Sequence, residues 1–145
     1  MEANQIAPQP ETEVETGRNI IHFKDGILGF EDIHEYLLYH EDENNIIWSL
    51  QAVDSDVPSF IVIDPFTILP AYRPALSAQE LSYFSDTDPS DLCFLAIAVL
   101  APELTDSVAN LKAPIVIDIN TREAKQVILE DSDYPIRYRL FGKRD

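Results

Sequence analysis

The run Leu92-Cys-Phe-Leu-Ala-Ile-Ala-Val-Leu100 is apolar at every position. It falls far short of the roughly 20 apolar residues that cross a bilayer. It also lacks the polar alternation of a half-exposed strand, so it predicts a central β-strand covered on both faces. Phe60-Ile-Val-Ile63 reads the same way. Working outward, Ile46, Trp48 and Leu50 alternate with Ile47, Ser49 and Gln51, a period of two that puts the tryptophan on the buried face of a strand. Ile20-Ile-His-Phe23 and Tyr36-Leu-Leu-Tyr-His40 are shorter β-prone runs, and the polar stretch 41–45 forms a turn after the second. Ile115-Val-Ile-Asp-Ile119 and Gln126-Val-Ile-Leu129 flank the polar residues 120–123 and predict a hairpin with a longer loop. Pro58, Pro65, Pro70, Pro74, Pro102 and Pro114 punctuate these runs without entering their apolar centres.

One helix is signalled. Ser77-Ala-Gln-Glu80 has the capping-box pattern, in which the serine oxygen takes the Glu80 amide and Glu80 reaches back to the Ser77 amide. Leu81 and Phe84, three residues apart, are expected to bury together, and the stretch 86–90 with Pro89 ends the helix. The expected fold is mainly β: a compact, mostly antiparallel β-barrel-like or sandwich domain with one short helix.

A length of 145 residues fits one domain, and the 46% hydrophobic content with 7 Phe, 6 Tyr and 1 Trp supplies a core. Residues 1–17 carry Pro8, Pro10 and four glutamates with few large apolar side chains, so they predict a flexible acidic leader to a single β domain over 18–145. They also lack the positive charge and apolar stretch of a secretory signal. The 26 acidic and 10 basic residues give a net charge of −16. Such acidity either confers solubility alone or favours basic partners; in both cases it opposes binding to nucleic acid or to anionic membranes. Arg137, Arg139, Lys143 and Arg144 gather four of the ten bases near the C-terminus, where they read as a solvated counterweight to the acid.

Patterns for catalysis are weak. His22, His34 and His40 lack metal-ligand spacing, the four glycines form no phosphate-cradling loop, and no Gly-x-Ser-x-Gly elbow occurs. Carboxylates cluster in turn-like stretches and read as solvated. The single Cys93, inside an apolar run, reads as a buried inert thiol and suits a reducing compartment. The expectation is a protein that is not an enzyme and has no cofactor or metal site. The protein-binding candidates are Asp64, Pro65, Phe66, Leu69, Pro70 and Tyr72, where a strand end, two prolines and two aromatics meet. Phe66 is either a plug over the barrel end or an exposed anchor; with Tyr72 it is the candidate anchor pair, expected to be removable without loss of the fold.

Four blocks in order carry a family resemblance. Ile21-His-Phe-Lys-Asp-Gly-Ile-Leu-Gly-Phe30, Trp48-Ser-Leu-Gln-Ala-Val53, Phe60-Ile-Val-Ile-Asp-Pro-Phe66 and Asn110-Leu-Lys-Ala-Pro-Ile-Val-Ile117, the last continued by 126–129 and Asp133-Tyr134, resemble the FliW family of flagellar assembly factors. Gly26 and Gly29 suit a tight connection with positive φ. Asn110 suits an Asx-type turn and Pro114 a first strand position. Lys24, Leu28 and Arg73-Pro74-Ala75 depart from the family pattern, the last replacing an acidic-aromatic-acidic stretch. The resemblance implies a cytoplasmic chaperone and regulator with two partners, flagellin and the translational repressor CsrA, whose capture relieves repression of flagellin translation. An acidic β-barrel scaffold without a flagellar role is the alternative reading.

Overall fold

The computed structural model describes residues 19–40, 47–55, 57–84 and 88–140, so the leader expected over 1–17, the turn at 41–45, most of the stretch expected to end the helix, and Lys143 and Arg144 lie outside the described residues. The strands are β1 (Ile20–Phe23), β2 (Glu35–His40), β3 (Ile47–Ala52), β4 (Ser59–Ile63), β5 (Leu92–Val99), β6 (Val108–Ala109), β7 (Ile115–Asp118), β8 (Glu123–Gln126) and β9 (Tyr138–Arg139). Two helices, α1 (Pro65–Ile68) and α2 (Ala78–Tyr83), lie between β4 and β5.

Antiparallel pairing runs β1–β2–β3–β4, passes from β4 to β5, and continues through β7 to β8. A short parallel pairing of His22 with Glu123 and Phe23 with Ala124 joins β8 back to β1. Seven strands therefore close a barrel, and β6 and β9 extend from β5 as a two-strand flap. Closure pairs the barrel strands on both sides and leaves β9, at the outer side of the flap, paired on one side only.

The continuously apolar strands are explained by two cores, except at the end of the 92–100 run. There Val99 (62%) and Leu100 (40%) are exposed, and the expected cover on both faces is missing. Successive strand residues face opposite sides. In β5, Cys93 and Leu95 point into the barrel with Phe23, Tyr36, Leu50 and Ile117, while Leu92, Ala96 and Ala98 face an outer cluster with Tyr72, Leu111 and Leu129. β7 sorts likewise, Ile115 and Ile117 inward and Val116 outward. Inside the barrel, Phe23 and Tyr36 meet edge to face at 5.3 Å. Trp48 is buried on the inner face of β3, as its alternation predicts, and Cys93 is fully buried.

Local signals hold at several points. Asn110 Oδ1 accepts the amides of Lys112 and Ala113, and Pro114 stands directly before β7. Both capping-box bonds of α2 are present, Glu80 N to Ser77 Oγ at 3.1 Å and Ser77 N to Glu80 Oε1 at 2.8 Å. Ser77→Ala removes one of them in an exposed helix start, so a loss of about 1 kcal/mol is expected in a urea titration.

Three expectations are corrected. α1 joins the single helix that was foreseen: Asp64-Pro65 ends β4 but also starts a helical turn, with the Asp64 side chain accepting the Phe66 amide and Pro65 in the first turn. Leu81 is 40% exposed; Phe84 is buried alone, and Tyr83 packs beside it at 4.8 Å. The hairpin strand begins at Glu123, not Gln126. The Asp118 carboxylate takes the Asn120 and Thr121 amides, the Arg122 amide bonds Asp118 O, and Arg122 adopts φ 67, which tightens the expected loop.

Candidate partner-binding surface

The structure brings Asp64, Pro65, Phe66, Leu69, Pro70 and Tyr72 into one compact turn that caps the outer core. Backbone bonds Thr67 N to Asp64 O, Leu69 N to Pro65 O and Tyr72 N to Leu69 O wind the segment back on itself. Its aromatics point inward. Tyr72 is 2% exposed, its hydroxyl donates to Leu111 O at 2.7 Å, and its ring meets Phe66 at 5.6 Å and Tyr134 at 4.7 Å. Phe66 is half-buried and reaches Phe94 edge to face at 6.2 Å. The expectation of an accessible Tyr72 anchor is thereby corrected: Tyr72 holds the fold, because a large apolar ring with a satisfied hydroxyl is more stable under the turn than in water. Pro65 is buried as well, whereas Pro70 is exposed and Asp64, Phe66 and Leu69 form a partly open rim.

Burial raises the Tyr72 hydroxyl pKa strongly, with repulsion from Tyr134 adding to it, and burial also raises that of Tyr36. An unfolded tyrosine ionises near about pH 10. Above that the unfolded chain loses protons that the folded chain keeps, so stability falls as the pH rises past about 10. Urea titrations between pH 8 and 11 should show this fall, and Tyr72→Phe should flatten it.

Sequence reading missed a second surface, on the rim where β1 leaves β8. The loop after β1 exposes Leu28 (67%) and Phe30 (40%), and the chain after β8 exposes Ile128 (45%). Leu28 N donates to Gln126 Oε1 at 2.9 Å, tying the loop to this strand end, and Lys125 Nζ lies 3.3 Å from Asp25 Oδ2. The Glu31 carboxylate accepts the Gly29 amide, which lowers its pKa. The signal was present in the apolar stretch 126–129, whose outward residue is Ile rather than a polar one, but strand alternation alone does not tell a covered face from an open one.

A separate open cleft of about 590 Å³ is lined by His22, Lys24, His34, Glu35, Tyr83 and Glu123, with His22 Nδ1 3.3 Å from Glu35 Oε2. His40 lies apart from it, its ring 4.0 Å from that of Trp48. No group of three or more His, Cys, Asp or Glu is placed to hold a metal ion among the described residues, and no helix among them is long and apolar enough to cross a membrane.

Fold and surface together define a small closed β-barrel protein whose rim mixes carboxylates with exposed apolar side chains. The FliW protein family matches residues 8–140. Over 128 residues the chain is 39% identical to the flagellar assembly factor FliW of Syntrophus aciditrophicus, covering 88% of this chain and 80% of that protein. It is also 39% identical over 126 residues to the flagellar assembly factor FliW of Ruminiclostridium cellulolyticum, covering 86% and 85%. A crystal structure of the flagellar assembly factor FliW superposes with a TM-score of 0.79 at 32% identity, covering 88% of this chain and 89% of that one. The chain belongs to the FliW family of flagellar assembly factors.

Proposed function

We propose that this protein is a cytoplasmic, non-enzymatic partner switch in flagellar assembly. It holds flagellin monomers before export, and when freed of them it binds CsrA and lifts repression of flagellin translation. The observation that carries this reading is the family match across residues 8–140, which agrees with relatives described as flagellar assembly factors. The net charge of −16 supports the CsrA arm: an RNA-binding repressor presents basic surface, and an anionic partner is steered towards it. The exposed apolar residues of the rim and the partly open Phe66–Leu69 turn suit the flagellin arm, since newly made subunits expose apolar surface before assembly. Neither arm requires a cofactor or a chemical step, only competition by mass action.

Titration of the purified protein with CsrA and with flagellin monomers from the same organism tests both arms. Saturable binding of each is expected. Raising the salt from about 0.05 to 0.5 M should weaken the CsrA complex by roughly tenfold or more, through screening of exposed charges, and change the flagellin complex much less. Binding to neither partner overturns the proposal.

A further inference from the structure

We propose that the rim where the chain runs on from β8 is a docking groove for an extended protein segment in which basic and apolar residues alternate. Past the end of β8 at Gln126 the backbone stays extended and keeps one open group on its outer side, the Ile128 amide. The Ile128 carbonyl accepts the Glu130 amide at 3.0 Å. The amides of Val127 and Leu129 donate to Pro114 O and Lys112 O, which carries the antiparallel pairing past the end of β8. Strand alternation turns the intervening Ile128 amide to the opposite side, where β1 has already departed after Phe23, and that amide makes no hydrogen bond among the described residues. An extended segment laid beside it can give that amide one carbonyl partner, while its alternate side chains settle to either side.

Two depressions flank Ile128, and its side chain forms a wall of both. One, of about 490 Å³, lies between residues 73–80 and 128–132; the other, of about 150 Å³, lies between residues 25–31 and 125–128. Leu76 in the first, Leu28 in the second and Ile128 between them supply apolar footing. Carboxylates outnumber cations around the two depressions, although the Lys112 ammonium donates to Ser132 O beside the first at 2.6 Å. Glu80, Glu130 and Asp131 line the first depression and Asp25 and Glu31 the second, against Arg73 and Lys125, and Lys125 is already engaged by Asp25. Lysines or arginines at alternate positions of an incoming strand match those carboxylates, and its apolar residues match the footing between them. An acidic segment or an anionic lipid surface would be repelled.

The groove stands whether or not the flagellar reading holds, so the probe is a synthetic peptide rather than flagellin or CsrA. A short labelled peptide alternating Lys with Val and Leu is titrated with the whole protein by fluorescence anisotropy, beside a counterpart with Glu for Lys. Saturable binding of the basic peptide alone is expected. Ile128→Lys and the pair Glu130→Lys with Asp131→Lys, all at exposed positions, should each weaken it by roughly tenfold or more. Asp54→Lys with Glu103→Lys changes the net charge as much as that pair but touches neither depression, and should weaken binding by less than about threefold. Equal losses from the two double variants, unimpaired binding to Ile128→Lys, or no saturable binding overturns the groove.

Discussion

Tyr72→Ala is expected to lower the stability of the fold by about 3–5 kcal/mol, the range for truncating a large buried ring. The ring is held from several sides by Phe66, Tyr134 and the outer core, and its hydroxyl serves a carbonyl thirty-nine residues away, that of Leu111. The loss has two parts, a cavity under the 64–72 turn and an unpaired Leu111 carbonyl, and Tyr72→Phe separates them. It keeps the ring and removes only the hydrogen bond, so a cost of about 1–2 kcal/mol is expected. Because a domain of this kind is stable by only about 5–15 kcal/mol in total, the alanine variant should show a large drop in its urea midpoint and the phenylalanine variant a modest one. Equal, small losses would mean that the turn is not packed as described.

The second large effect belongs to Gly26. Its φ is +68, and a Cβ placed there would lie 2.6 Å from the Glu31 Cα and 2.7 Å from the carbonyl oxygens of Glu31 and Phe30, which are backbone atoms and cannot swing aside. Gly26→Ala therefore combines the left-handed penalty of about 1–2 kcal/mol with a backbone displacement of similar cost, about 3 kcal/mol in all. Gly29 is the internal control: its φ is +91, but a Cβ there meets nothing within 4 Å, so Gly29→Ala should cost only about 1 kcal/mol. Chemical denaturation of the two variants side by side checks the ranking. Gly26→Ala should also loosen Leu28 and Phe30, which the same loop presents.

Much of this was legible in the sequence, and the exceptions share a cause. The unbroken apolar run at 92–100 announced a strand buried on both faces, and the structure supplies two cores that cover it as far as Ala98, while Val99 and Leu100 at its end are exposed. The capping box, the Asn110 turn and the placement of Trp48 were legible because each is settled within a few residues by hydrogen-bonding pattern or alternation. What escaped depends on contacts distant in the chain. β6 and β9 are two residues each and exist through pairing with β5 and with one another, so their own composition carries almost no signal. Tyr72 looks like a surface anchor beside two prolines until Leu111 and Tyr134 are brought over it. Leu81 follows the helical spacing of a buried pair, yet a six-residue helix on the rim needs only one side to face the core. Ile128 was read as part of the second hairpin strand, but β8 ends at Gln126, and that the outward face of Ile128 stays open follows only from where β1 ends.

The partner switch is tested most directly by cell-free translation of flagellin mRNA repressed by added CsrA. Adding this protein at an amount comparable to CsrA should restore synthesis, and a further addition of purified flagellin monomers should take the restoration away. Translation that stays repressed in its presence, or relief that flagellin does not reverse, would contradict the switch.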